Sequence, residues 1–134
     1  MTVDRAPDPA DVVLTLPAEA EFLRAVRLLV AAVATLLQFG YDEVEDLRRA
    51  ADEMCHSFIV AARPGDRLRL GARLEKDRMI VEVGYEDPAL GRIPEISELS
   101  HRILVSLVDE YDIALDAGGN PVGFLVKVVP VGQR

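Results

Sequence analysis

Apolar residues recur along this chain with two different periods. Within Asp46–Ala62, Leu47, Ala50, Ala51, Met54, Phe58 and Ile59 return every three to four residues, as on the buried stripe of an amphipathic helix. Glu53 and Ser57 lie four apart on one face beside that stripe, where a carboxylate and a small polar residue make either a site wall or an ordinary polar edge. The spacing predicts this helix over Tyr41–Ala62, with Asp42 as N-cap and Glu45 three residues on. Ahead of it, Val12–Leu16 is a β-branched run closed by Pro17 and predicts a strand. Pro17 then opens a first helix, carried to about Gln38 by Phe22, Ala25, Val26, Leu29, Val33, Leu36 and Leu37, with Gly40 as its stop.

Beyond residue 62 the period shortens. Arg63–Asp66 is a turn, and Arg67–Leu74 alternates so that Leu68, Leu70, Ala72 and Leu74 face inward. Glu75–Arg78 reads as a hairpin turn, Met79–Val83 as a strand and Gly84–Pro94 as a loop. A third helix is expected over Glu95–Asp112 on Ile96, Leu99, Ile103, Leu104, Leu107, Val108 and Tyr111. Ile113–Leu115, the hairpin turn Asp116–Asn120 and the strand Val122–Val131 complete the chain. The order β, α, α, β, β, α, β, β predicts an α+β sandwich, a mixed sheet with helices packed on one face. Met1–Asp11 is polar and Pro-containing, a flexible N-terminal segment before a single domain at 12–134.

Charge narrows the function classes. The formal net charge is −8 over 134 residues, with the acids spread along the chain, which argues against direct nucleic acid binding and against an anionic membrane surface. A macromolecular partner is then expected to be protein, met through a local basic patch; by charge alone Arg24, Arg27, Arg48 and Arg49 read as readily as a solvated face of an acidic protein. Cys55 is the single cysteine, so neither an internal disulfide nor a Cys-based zinc site forms, and the two His have no metal-ligand spacing. The longest apolar stretch, Leu28–Leu37, is about half a membrane span, and Met1–Asp11 lacks a signal-peptide pattern, which together imply the cytoplasm. That same stretch is too apolar for one face of a small monomer and suggests a homodimer.

Four stretches resemble one family. They are LTLPAEAEFLRAVR at Leu14–Arg27, EVEDLRRAADEMC at Glu43–Cys55, LRLGARLEKDRMIVEV at Leu68–Val83 and HRILVSLVDEYDI at His101–Ile113. They resemble the anti-sigma factor kinases of the RsbW and SpoIIAB type, closest to the actinobacterial UsfX-like branch, which have the GHKL (Bergerat-type) ATPase fold. The resemblance implies an anti-sigma factor that sequesters an alternative sigma factor of the SigB/SigF/SigH group, in stress response or development. Release would come from a STAS-domain anti-anti-sigma factor by partner switching. It places a partner-binding surface at Arg27, with Arg24 and Leu23.

The family's nucleotide motifs are altered here. Its Glu-x-x-x-Asn becomes Glu53 with Ser57, so Glu53 is a vestigial catalytic residue and the magnesium ligand is a hydroxyl with a single oxygen. Its Asp-x-Gly-x-Gly falls at Tyr85–Ala89, with Glu86 or Asp87 in place of the Asp, no Gly, and Pro88 fixing the backbone. Its glycine-rich lid is shortened to Gly91–Glu98, with Glu95 and Glu98 where phosphates would lie. The resemblance with these losses implies no cofactor, the degenerate ATP and magnesium site at Glu53, Ser57 and Asp87 being weak or lost. Two alternatives remain: an active serine-protein kinase acting on a STAS-domain antagonist, and a small-ligand sensor using the pocket between Glu53, Tyr85 and the third helix.

Overall fold

A computed structural model describes residues 10–87, 89 and 92–134. Strand β1 (Val12–Pro17) leads through a 3-10 turn at Ala20–Phe22 into helices α1 (Leu23–Ala34) and α2 (Tyr41–Val60). Strands β2 (Arg67–Leu74) and β3 (Arg78–Tyr85) form a hairpin. Helix α3 (Glu98–Leu107) precedes a second hairpin of β4 (Glu110–Leu115) and β5 (Pro121–Val128). The described strands form one sheet in the order β1-β2-β3-β5-β4.

The α+β sandwich is present, but the sheet expected to be mixed is antiparallel at every described pairing. The unit β3-α3-β4 is a crossover that would set β4 parallel beside β3. The hairpin at Asp116–Asn120 instead folds β5 back between them. That turn is held by the Asp116 carboxylate, which accepts from the amides of Gly118 and Asn120 at 2.9 Å each, and Gly119 takes φ +82°. Alternation puts Leu68, Leu70, Ala72, Met79, Val81, Val83 and Leu125 on the helix side, all at most 1% exposed. The helices answer with Val26, Val30, Leu47, Ala50, Ala51, Met54 and Phe58. The other sheet face carries Arg69, Glu82, Val122 and Phe124 along a groove of about 360 Å³.

Several boundaries differ from the sequence reading. Pro17 ends β1 instead of opening a helix, because an edge strand tolerates its missing N–H and Ala18 continues the pairing to the Asp66 carbonyl at 3.0 Å. α1 stops at Ala34, where Leu36 and Leu37 tighten to three-residue hydrogen bonds. Gly40 does not end α1. It is the extended N-cap of α2, and its N–H donates to the Glu43 carboxylate at 2.8 Å, so the cap lies two residues before Asp42. α3 covers only Glu98–Leu107, and Tyr111 belongs to β4. The chain turns there because the Asp109 N–H donates to the Val126 carbonyl while its carboxylate takes the Val128 N–H. Of the expected flexible segment 1–11, residues 1–9 lie outside the described residues. Asp11 is anchored, its N–H donating to Ala72 at 2.9 Å and its carboxylate accepting from Leu74 at 2.7 Å. Among the described residues no helix is long and apolar enough to cross a membrane.

Candidate functional site

The buried stripe of α2 fixes where its margin points. Glu53 looks across to α3, where the Ser100 hydroxyl donates to its carboxylate at 2.6 Å. Ser100 is itself placed by the N-cap of α3: its N–H donates to the Ser97 hydroxyl oxygen at 3.1 Å. Ser57 is 7% exposed and donates to the Glu53 carbonyl at 3.3 Å, one turn back along the helix. Its only hydroxyl proton is therefore spent on the backbone.

The end of β3 closes against the C-terminal end of α2. The Tyr85 hydroxyl donates to the Phe58 carbonyl at 2.6 Å, and the two rings pack with centroids 5.3 Å apart. Burial pushes the Tyr85 phenol up to about 12. The Arg92 guanidinium lies 4.9 Å over the Tyr85 ring, a cation–π contact. It also donates to the Ala61 carbonyl at 3.0 Å, where the C-terminal end of α2 is electronegative, and to Asp66 at 3.0 Å. Asp66 accepts the Arg63 amide at 2.7 Å as well. That amide first, and the Arg92 charge beside it, hold its carboxyl below the usual carboxylate range.

The remaining cleft residues are also engaged or exposed. Asp87 is exposed after β3, and Glu86 pairs with Arg67 at 2.8 Å. Glu98 pairs with Arg102 at 2.8 Å on the surface of α3, and Glu95 is exposed before it. Pro88 and Gly91 lie outside the described residues. Of Glu53, Ser57 and Asp87, the first two are bound to the chain's own groups and the third is exposed, while Tyr85 and Arg92 pack where β3 meets α2. Among the described residues no three His, Cys, Asp or Glu side chains gather as a metal ion needs. Cys55 is a fully buried thiol, pushed up to about 12 by burial and then by the Asp52 charge.

The second set of expected residues lies on α1. Arg24 is exposed and Arg27 half-exposed, but Leu23 is 8% exposed and turned into the core with Val26, Val30 and Val33. Leu23 is therefore a packing residue: it falls on the inward stripe, at i, i+3, i+7 and i+10. The exposed apolar residue beside the arginines is Leu28, with Leu36 two turns on. Arg27 does not stand alone. Its guanidinium donates to the Asp52 carboxylate of α2 at 2.5 Å. One turn before Asp52, Arg48 pairs with Glu45 at 2.6 Å, and Arg49 is exposed.

Asp52, Arg92 and Ser100 thus join the candidate site without a sequence motif to announce them, whereas Tyr85 was already expected beside it. The one available signal was the N-cap pattern Ser97-x-x-Ser100, which locates Ser100 in the first turn of a helix but not against Glu53.

No family model matches the chain. Among curated proteins it is 35% identical over 80 residues to the serine-protein kinase RsbW of Halalkalibacterium halodurans, covering 59% of this chain and 49% of that protein. It is 41% identical over 69 residues to the anti-sigma-F factor RsbW of Mycobacterium tuberculosis, covering 52% and 41%. The chain therefore spans less than half the length of either relative. Its fold matches the crystal structure of the RsbU and RsbW domains of Rv1364c from Mycobacterium tuberculosis with a TM-score of 0.62 at 17% identity, over 92% of this chain and 33% of that one. The chain is thus similar in sequence to part of these RsbW proteins, and it shares its fold with part of that two-domain structure.

Proposed function

We propose that this protein is an anti-sigma factor that holds an alternative sigma factor through the outward face of α1 and is released by a STAS-domain antagonist. The observation that carries the reading is the contrast between two regions of one RsbW-type fold. The α1 face presents Arg24, Arg27 and Leu28 outward, whereas Glu53, Ser57, Tyr85 and Arg92 are tied to one another and to the chain. Binding proceeds without resident ATP or magnesium, and the chain does not phosphorylate its antagonist. Leu28 on α1 and Leu36 just beyond its end are exposed and are the apolar positions from which a homodimer would be built. The site of action is the cytoplasm, where sigma factors and RNA polymerase meet.

The test is co-purification of the full chain with each alternative sigma factor and STAS-domain protein of its source organism, expressed singly. One sigma factor should bind, one STAS protein should displace it, and Arg27→Glu should weaken both, as charge reversal at an interface hot spot does. Calorimetry with Mg-ATP separates this reading from the kinase. A Kd at or below about 10 μM, roughly −7 kcal/mol, would refute a lost nucleotide site.

A further inference from the structure

We infer that Asp52 is a built-in competitor for Arg27, so that an acidic protein partner docking on α1 must first displace this carboxylate. The inference rests on the proposed partner surface and adds the residue that sets how tightly that surface binds. Arg27 and Asp52 come from different helices, 25 residues apart, and meet at 2.5 Å. Their side chains keep 37% and 32% of their exposure, so the pair sits at the rim of the α1–α2 seam, reachable from outside. The seam does not depend on it. Val26, Val30, Leu47, Ala50 and Ala51 are buried in one continuous core beneath. A half-exposed ion pair adds little to such packing. What it does is occupy the guanidinium that a partner's carboxylate would take.

The surroundings favour an acidic, partly apolar partner over other occupants. Arg24 is exposed one turn before Arg27–Leu28, and Leu28 is 64% exposed beside them. Arg48 and Arg49 lie one turn before Asp52 on α2. Two of these four arginines are paired with carboxylates of α2, Arg27 with Asp52 and Arg48 with Glu45. Within a chain of net charge −8, this is a basic patch with its central arginine held by its own helix pair. Neutralising Asp52 leaves the patch more basic and Arg27 with its full bidentate donor set for the partner.

The experiment has two arms on the full chain. In the first, phenylglyoxal labelling of each arginine is read by peptide mass spectrometry. Asp52→Asn should raise labelling of Arg27 severalfold and leave Arg102 unchanged. In the second, the Kd for the sigma factor that co-purifies with the unmodified chain is measured. Asp52→Asn should tighten binding about two- to fivefold, the range open to a half-exposed ion pair. Glu110→Gln, which removes one charge from the exposed start of β4, should do neither. Unchanged labelling overturns the inference. So does unchanged affinity in a protein whose Arg27→Glu variant no longer binds. Failure of every sigma factor and STAS protein to bind the unmodified chain counts instead against the functional reading, and the labelling arm then decides on Asp52 by itself.

Discussion

Glu53 is where the two readings of this chain part most sharply, and its contact with Ser100 can be sized. If Glu53 is a helix–helix link, breaking the contact costs stability; if it is a catalytic base, Glu53→Gln costs phosphoryl transfer and little stability. A hydrogen bond to a charged group contributes about 1.5–3 kcal/mol when shielded from water. Glu53 is half-exposed, so solvent competes and the expected coupling falls to about 1 kcal/mol. Ser100→Ala and Glu53→Ala should each lower the melting temperature by about 3–4 °C, given the unfolding entropy of a domain this size. The double variant should then be less destabilised than the sum by about 1 kcal/mol. Urea unfolding of the four proteins at pH 7 measures this directly. A coupling below about 0.3 kcal/mol would show that α3 is not held to α2 through this carboxylate, and Glu53 would be free for other work.

Three further outcomes follow from the packing and the charges. Gly123→Ala would set a Cβ 2.7 Å from the Met54 sulfur and 3.0 Å from the Phe58 ring, so these two buried side chains must give way, and urea unfolding should report a loss of about 1–3 kcal/mol. Cys55 is 0% exposed with a thiol pushed up to about 12, so Ellman's reagent at pH 8 should leave it unmodified until urea unfolds the chain; stoichiometric reaction of the native protein within minutes would place the thiol elsewhere. Stability should fall at both pH extremes, as circular dichroism at graded pH can follow. The lowered Asp66 carboxyl stabilises the fold above its unfolded value of 3.8, and that contribution is lost as pH falls below it. The raised Tyr85 phenol stabilises the fold up to its unfolded value of 10.0, and that contribution is lost as pH rises from 10 towards 12, a loss that Tyr85→Phe should reduce.

Most of the sheet was legible because strands with one buried face must alternate. Arg67–Leu74 does so without exception on its helix side, and its limits are those of β2. The boundary of α3 with β4 was not legible, since Leu107, Val108 and Tyr111 satisfy a helical stripe as well as a strand. The choice is made by Asp109 pairing with Val126 and Val128, about twenty residues further on. The same limit applies to the site. The spacing of Glu53 and Ser57 can be read along one helix, but the hydroxyl that meets Glu53 comes from 47 residues away. Arg27 was singled out by the family resemblance; Asp52, its partner, is chosen by how α1 lies against α2. Leu23 was misplaced for a related reason. Neighbours in sequence on a helix point about 100° apart, so Leu23 and Arg24 cannot share a surface when one is on the buried stripe.

The division of labour on α2 explains how such a fold keeps its form while its cleft changes. Leu47, Ala50, Ala51, Met54 and Phe58 are all fully buried and carry the packing against α1 and the sheet. Glu53 and Ser57 stand at the margin, so their side chains can be retied to Ser100 and to the backbone without disturbing that stripe. On the proposed reading, a chain without its own phosphoryl transfer must leave the phosphorylation state of the antagonist to another kinase, and its own part in switching reduces to relative affinity. A tenfold difference between two partners is about 1.4 kcal/mol, within reach of one or two rim contacts. If both partners take Arg27 by displacing Asp52, that displacement weakens both alike and cancels from their ratio. Asp52 then sets how tightly any partner is held. The preference between partners has to come from residues that only one of them touches, with Arg24 and Leu28 the first to substitute.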